Sequence, residues 1–167
     1  MKVLVAVEDQ KYGLAVIDFI SKHKWSEDTE FKIIHVIEPL LIGSYMSVYP
    51  SALLQEINEQ STKYATSLMA DMKKNLQKAV PHHHVFTDVF TEIPKYGIIN
   101  AAKEWPADLI IMGSHGRRGF NKLLLGSVAE AVMSAANCSV TVVRIPETDQ
   151  DSTAKSHQEQ KKEAAAK

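Results

Sequence analysis

The chain has 167 residues, 45% hydrophobic and 23% charged, the length of one domain and the composition of an ordinary globular protein. Its net charge of −1 excludes a global basic field that would draw it to nucleic acid or anionic lipid. No apolar run reaches the length of a membrane span, and a single cysteine, Cys138, excludes an internal disulfide.

The opening "KVLVAV" (Lys2–Val7) is a β-branched apolar run, the pattern of a strand buried on both faces. It is too short for the core of a signal peptide and lacks a small-residue cleavage site. Together with the lone thiol, this gives the expectation of a cytoplasmic protein. Tyr12, Val16, Phe19 and Ile20 then mark one face of a helix, and "FKIIHVI" (Phe31–Ile37) a second buried strand. The stretch Glu38–Pro50, with Pro39, Gly43 and Pro50, reads as a long loop, a place where function often sits.

A long helical pattern runs from Ser51 to about Val80, with Leu53, Ile57, Tyr64, Leu68, Met72 and Leu76 on one face. "HHVFTDVFT" (His83–Thr91) is the third strand. Pro94 opens a helix carrying Ile98, Ala102 and Trp105. "ADLIIMG" is the fourth strand, Ser127–Ala136 a helix, and Ser139–Ile145 the fifth strand. There is no internal repeat. Strands and helices alternate throughout, which predicts an α/β fold with a five-stranded parallel sheet covered by helices on both faces. Residues 1–146 are expected to form this domain. Residues 147–167 hold no large apolar side chain, so they are expected to be a disordered polar tail, dispensable for folding.

Four of the seven glycines stand close together, at Gly113, Gly116, Gly119 and Gly126, from the end of the fourth strand onward. One account makes them turns, with Ser127 and Glu130 as the S-x-x-E capping box of the next helix. The other account is a phosphate cradle. Glycine lets backbone N–H groups approach an anion, the helix start adds partial positive charge, and Ser127 supplies a hydroxyl. Arg117, Arg118 and Lys122 bring three cationic side chains to the same stretch. The cradle account also explains the length of the connection and its place at a strand's carboxyl end, where α/β sheets bind ligands.

Gly113-x2-Gly116-x9-Gly126-Ser127 resembles the nucleotide motif of the universal stress protein family, G-x2-G-x9-G-[ST]. "KVLVAV", "ADLIIMGSHG", "LLLGSVAEAVM" and "CSVTVVR" resemble family text as well, so the likeness runs from about Met1 to Ile145. The resemblance implies a Rossmann-like sheet in the order 3-2-1-4-5, with a crevice between the first and fourth strands. It implies ATP as the ligand, alone or with Mg2+. Val7 and Glu8 would line base and ribose, Val36 would offer backbone to adenine, and Met112 and Gly113 would continue the lining. Gly116, Gly126, Ser127 and Val128 would surround the phosphates. It implies too a homodimer through strand five, Ser139–Ile145, antiparallel to its mate. One departure stands out: family members often read V-D-G-S after strand one, where this chain has Val7-Glu8-Asp9-Gln10.

Other constellations carry less. Glu8-Asp9 resembles the acidic pair of a response-regulator receiver domain, with Ser114 as its hydroxyl. That reading needs an aspartate at the end of strand three, where Asp88 falls mid-strand, and a lysine after strand five, where the chain reads "RIPE". Adjacent histidines in extended chain alternate faces, so His82, His83 and His84 are not expected to share a metal ion. His35 is expected in the core or crevice, and His115 near phosphate without a catalytic role. Cys138 is expected to be a packed filler rather than a nucleophile. With no G-x-S-x-G, Walker A text or carboxylate-rich magnesium site, no catalytic residue is assigned, and ATP hydrolysis is expected to be slow at most. The expected function is nucleotide-dependent regulation in stress response, without nucleic acid or membrane as partner. The alternatives are an enzyme of related architecture cleaving ATP at its α–β bond, and a family member that binds no nucleotide and works through protein contacts.

Overall fold

A computed structural model describes residues 1–39, 51–114 and 125–144. The elements in chain order are β1 (Lys2–Ala6), α1 (Gln10–Ser21), β2 (Glu30–Ile37), α2 (Ser51–Ala79), β3 (His84–Thr91), α3 (Pro94–Glu104), β4 (Leu109–Gly113), α4 (Ser127–Ala135) and β5 (Ser139–Val143). All four strand pairings are parallel, in the order β3-β2-β1-β4-β5. This is the order that the family resemblance implies.

The alternation of side chains along β1 divides the interior into two layers. Val3, Val5 and Val7 face Val16, Ile17 and Ile20 of α1 and Leu68, Met72 and Leu76 of α2. Leu4 and Ala6 face Ile98 and Ala102 of α3 and Val132 of α4. Val3, Leu4 and Val5 are all fully buried, each burial stabilising the fold by roughly 1.5–3 kcal/mol. A strand with both faces covered has no polar positions to spare, which is why β1 and β4 read as unbroken apolar runs.

The register of β1 against β4 is fixed at its amino end by Asp108. Its N–H donates to the Lys2 carbonyl at 2.9 Å, and its carboxylate accepts from the Lys2 N–H at 2.7 Å. Nearby, the Lys2 and Lys32 ammonium groups lie 5.4 and 5.3 Å from the Trp105 ring centroid.

The apolar face expected on the long helix is only half covered. Leu68, Met72 and Leu76 are buried, but Leu53, Ile57 and Tyr64 are exposed. The reason is length. A helix of 29 residues is about 44 Å long, whereas an eight-residue strand such as β2 spans about 26 Å. The helix outruns the sheet it packs on. The loop expected at Glu38–Pro50 lies, beyond Pro39, outside the described residues, as does the tail 147–167.

Candidate functional site

Strand order reverses at β1, so the carboxyl ends of β1 and β4 flank the crevice where such sheets bind ligands. Ala6 pairs with Met112, which places Val7 beside Gly113 at the lip. Both backbone groups of Val7 are committed. Its N–H donates to the Ile34 carbonyl at 2.9 Å, and its carbonyl accepts from His35 Nδ1 at 2.9 Å. A carbonyl can only accept, so Nδ1 carries a proton. His35 is buried, with the Tyr64 ring edge-on at 6.1 Å. It is a crevice histidine with a structural bond.

After Val7 the chain turns sharply into α1. Asp9 is the N-cap, its Oδ1 accepting from the Tyr12 N–H at 2.9 Å. Glu8, beside it, is exposed at the mouth of the crevice. The departure from V-D-G-S thus separates two roles: Asp9 caps the helix, and Glu8 is the carboxylate presented outward. The sequence reading did not assign the cap to Asp9, although an aspartate just ahead of a periodic helical pattern is its usual signal.

On the other lip, Met112 and Ser114 are buried and Gly113 is half-buried. The Ser114 N–H donates to the Val143 carbonyl at 2.9 Å, and its carbonyl accepts from the Gly126 N–H at 2.8 Å. This second bond joins the two described ends of the glycine segment and brings α4 to the end of β4. Gly116 lies outside the described residues, as do His115, Arg117, Arg118, Gly119 and Lys122.

The capping box that the turn account places at Ser127 and Glu130 does not form. The N-cap of α4 is Gly126, with no side-chain cap bond, and the Glu130 N–H closes the first turn on the Gly126 carbonyl at 2.9 Å. Ser127 is the first helical residue and is exposed; Val128 follows, half-buried. An S-x-x-E pattern cannot tell an N-cap from the residue after it. Gly126 has φ −62° and ψ 144°, and no described glycine has a positive φ. Any residue adopts that backbone, so a left-handed turn does not account for Gly113 or Gly126. The free N–H groups of the first turn and their share of the helix dipole make this end of α4 suited to an anion.

Val36, in β2, is half-buried beside α3 and pairs with Phe90 of β3. Asp88 pairs with Ile34, in the middle of β3 and not at its end, as the receiver reading would need. The three histidines go separate ways. His83 bonds the Ser26 carbonyl at 3.1 Å, His84 stacks on Phe86, and His82 is exposed. Among the described residues no group of three His, Cys, Asp or Glu could hold a metal ion. Desolvation, and secondarily the charge of Asp108, push the half-buried Cys138 thiol above its usual range, which makes it a poor nucleophile at neutral pH. No described helix is long and apolar enough to cross a membrane.

A doubly wound parallel sheet, with a crevice at its switch point and a glycine-bounded helix start on one lip, defines an α/β protein of nucleotide-binding architecture. Residues 1–144 match the profile of the Universal stress protein family, and the chain belongs to that family. It is 32% identical over 145 residues to Universal stress protein A homolog 2 of Coxiella burnetii, covering 86% of this chain and 94% of that one. Among solved structures it resembles the MJ0577 protein of Methanocaldococcus jannaschii, with TM-score 0.72 and 27% identity over 88% of this chain and 97% of the other. A family member from Arabidopsis thaliana, solved with AMP bound, has the same fold at TM-score 0.59 and 17% identity, covering 90% and 94%.

Proposed function

We propose that this chain is an ATP-binding universal stress protein that acts as a nucleotide-dependent regulator in stress response. The observation that carries the reading is the Ser114–Gly126 hydrogen bond. It sets the first turn of α4 at the end of β4, across the switch point from Val7. The residues fit an adenine nucleotide. Val7, Glu8, Met112 and Gly113 offer a lining for base and ribose, Val36 a backbone edge for adenine, and Gly116, Gly126, Ser127 and Val128 a cradle for phosphates. The AMP-bound relative supports the class of ligand. Mg2+ would enter with the nucleotide, on phosphate oxygens rather than on a protein carboxylate cage. The protein works in the cytoplasm as a homodimer paired through strand five, with no nucleic acid or membrane as partner. Residues 1–146 are the functional domain, and 147–167 a dispensable tail.

The direct test is to denature the purified protein and chromatograph the supernatant. Bound ATP is the expected result. AMP with pyrophosphate would instead identify an α–β-cleaving enzyme, and no nucleotide a protein that works through contacts alone.

Ser127→Ala separates structure from binding. As the first helical residue without a cap bond, Ser127 can be replaced with a change in stability of about 0.5 kcal/mol or less. ATP affinity is expected to fall, and AMP affinity, lacking the outer phosphates, to fall less. Calorimetry with both nucleotides reads the difference. A loss of stability with ATP affinity unchanged would return Ser127 to a purely structural role.

A further inference from the structure

Glycine inside a helix weakens it relative to alanine, so one kept there usually makes room for a neighbour. Two of the described helices carry such a residue, Gly13 in α1 and Gly97 in α3, and both are buried. A Cβ at Gly97 would stand 2.9 Å from Val36 Cγ1 and 3.1 Å from Val36 Cγ2. One at Gly13 would stand 2.7 Å from Val7 Cγ1 and 2.5 Å from Met72 Sδ. Each glycine therefore presses bare helix backbone onto a valine of the proposed nucleoside pocket. They do so from opposite layers, Val7 lying under α1 and α2 and Val36 against α3.

The two contacts differ in how they would yield. Val7 is held by backbone bonds to Ile34 and His35, and Met72, its neighbour against Gly13, ends in a flexible thioether. Among the described residues, Val36 is the only side chain within 3.4 Å of the Gly97 position. It is β-branched and stiff at χ1, so it cannot swing aside. A methyl group at residue 97 must drive Val36 and the α3 backbone apart.

We infer that Gly97 is a positioning residue for the base of the bound nucleotide, setting through Val36 the place of the β2 backbone that meets an adenine ring. The inference rests on the nucleotide reading. Gly13 is the softer counterpart at Val7. Neither belongs to the glycine motif, and each acts through the valine it touches.

The test compares wild type, Gly97→Ala and the double variant Gly97→Ala/Val36→Ala by calorimetry with adenosine and with ATP. Gly97→Ala is expected to weaken both ligands by the same factor, roughly fivefold or more, because the loss lies at the base they share. Val36→Ala deletes the two methyl groups that the new Cβ would strike, so the double variant recovers most of that affinity. A loss of affinity that did not pass through Val36 would not be rescued by removing its methyl groups, and calorimetry reads the affinity of the folded protein apart from its stability. If Gly97→Ala does not fold, the double variant still decides: folded and binding adenosine, it supports the inference. Wild-type affinity in Gly97→Ala, or a double variant no tighter than the single, overturns the inference and leaves the nucleotide reading standing. Wild type that binds neither adenosine nor ATP overturns both.

Discussion

Replacing Gly116 by valine is expected to lower ATP affinity at least tenfold, about 1.4 kcal/mol or more, with the fold intact by circular dichroism. Gly116 stands inside the glycine segment that follows β4. Gly113 and Gly126 bound it, and the Gly126 N–H bonds the carbonyl of Ser114, the residue after Gly113. No described glycine has a positive φ, so Gly113 and Gly126 are not there to permit left-handed turns. What glycine still offers is close approach of N–H groups to an anion, with no Cβ in between. On the proposed phosphate reading, a branched side chain at Gly116 would obstruct that approach. Titration calorimetry measures the loss directly. ATP affinity equal to that of the wild type would remove phosphate binding from this segment and leave α4 with an unexplained glycine cap.

The strands were legible because each is buried in a way that leaves a mark. Val3, Leu4 and Val5 have no exposed face, and the continuous apolar run follows from that. The switch point was legible only through the family motif, since periodicity assigns elements and not their neighbours. Periodicity also misled at α2. Leu53, Ile57 and Tyr64 share a stripe with Leu68 and Met72, but a stripe records a common direction and not a covering layer.

Gly13 and Gly97 were invisible for a related reason. Their partners, Val7 with Met72 and Val36, are brought to them by tertiary packing, and no local pattern announces it. The cap of α4 failed on a difference of one residue. Ser127 and Glu130 satisfy the capping pattern in letters, yet Gly126 accepts the first-turn bond, and that choice is made by the bond tying Gly126 to Ser114. Local chemistry offered two starts, and the sheet selected one.

Val142→Pro is expected to convert a homodimer into monomers or aggregates without unfolding the domain. β5 stands at the edge of the sheet, bonded on one side to β4. Bonds along a parallel strand alternate in direction. The Ser139 N–H donates to the Asp108 carbonyl at 3.3 Å, and the Val143 carbonyl accepts from the Ser114 N–H at 2.9 Å. The odd-numbered residues of β5 therefore face β4, and the N–H groups of Val140 and Val142 point outward. A strand that, among the described residues, is paired on one side alone is a surface for strand pairing. Proline at residue 142 removes an outward donor and no rung of the internal ladder, which an edge strand tolerates. Thr141→Pro is the contrast. By the same alternation Thr141 faces β4, so proline there breaks the sheet itself and is expected to lower the melting temperature sharply. Light scattering at micromolar concentration reads the association, and thermal unfolding the fold. A wild type that is monomeric under those conditions would remove strand five as the dimer contact. A Val142→Pro variant that remains a dimer would move the contact elsewhere on the surface.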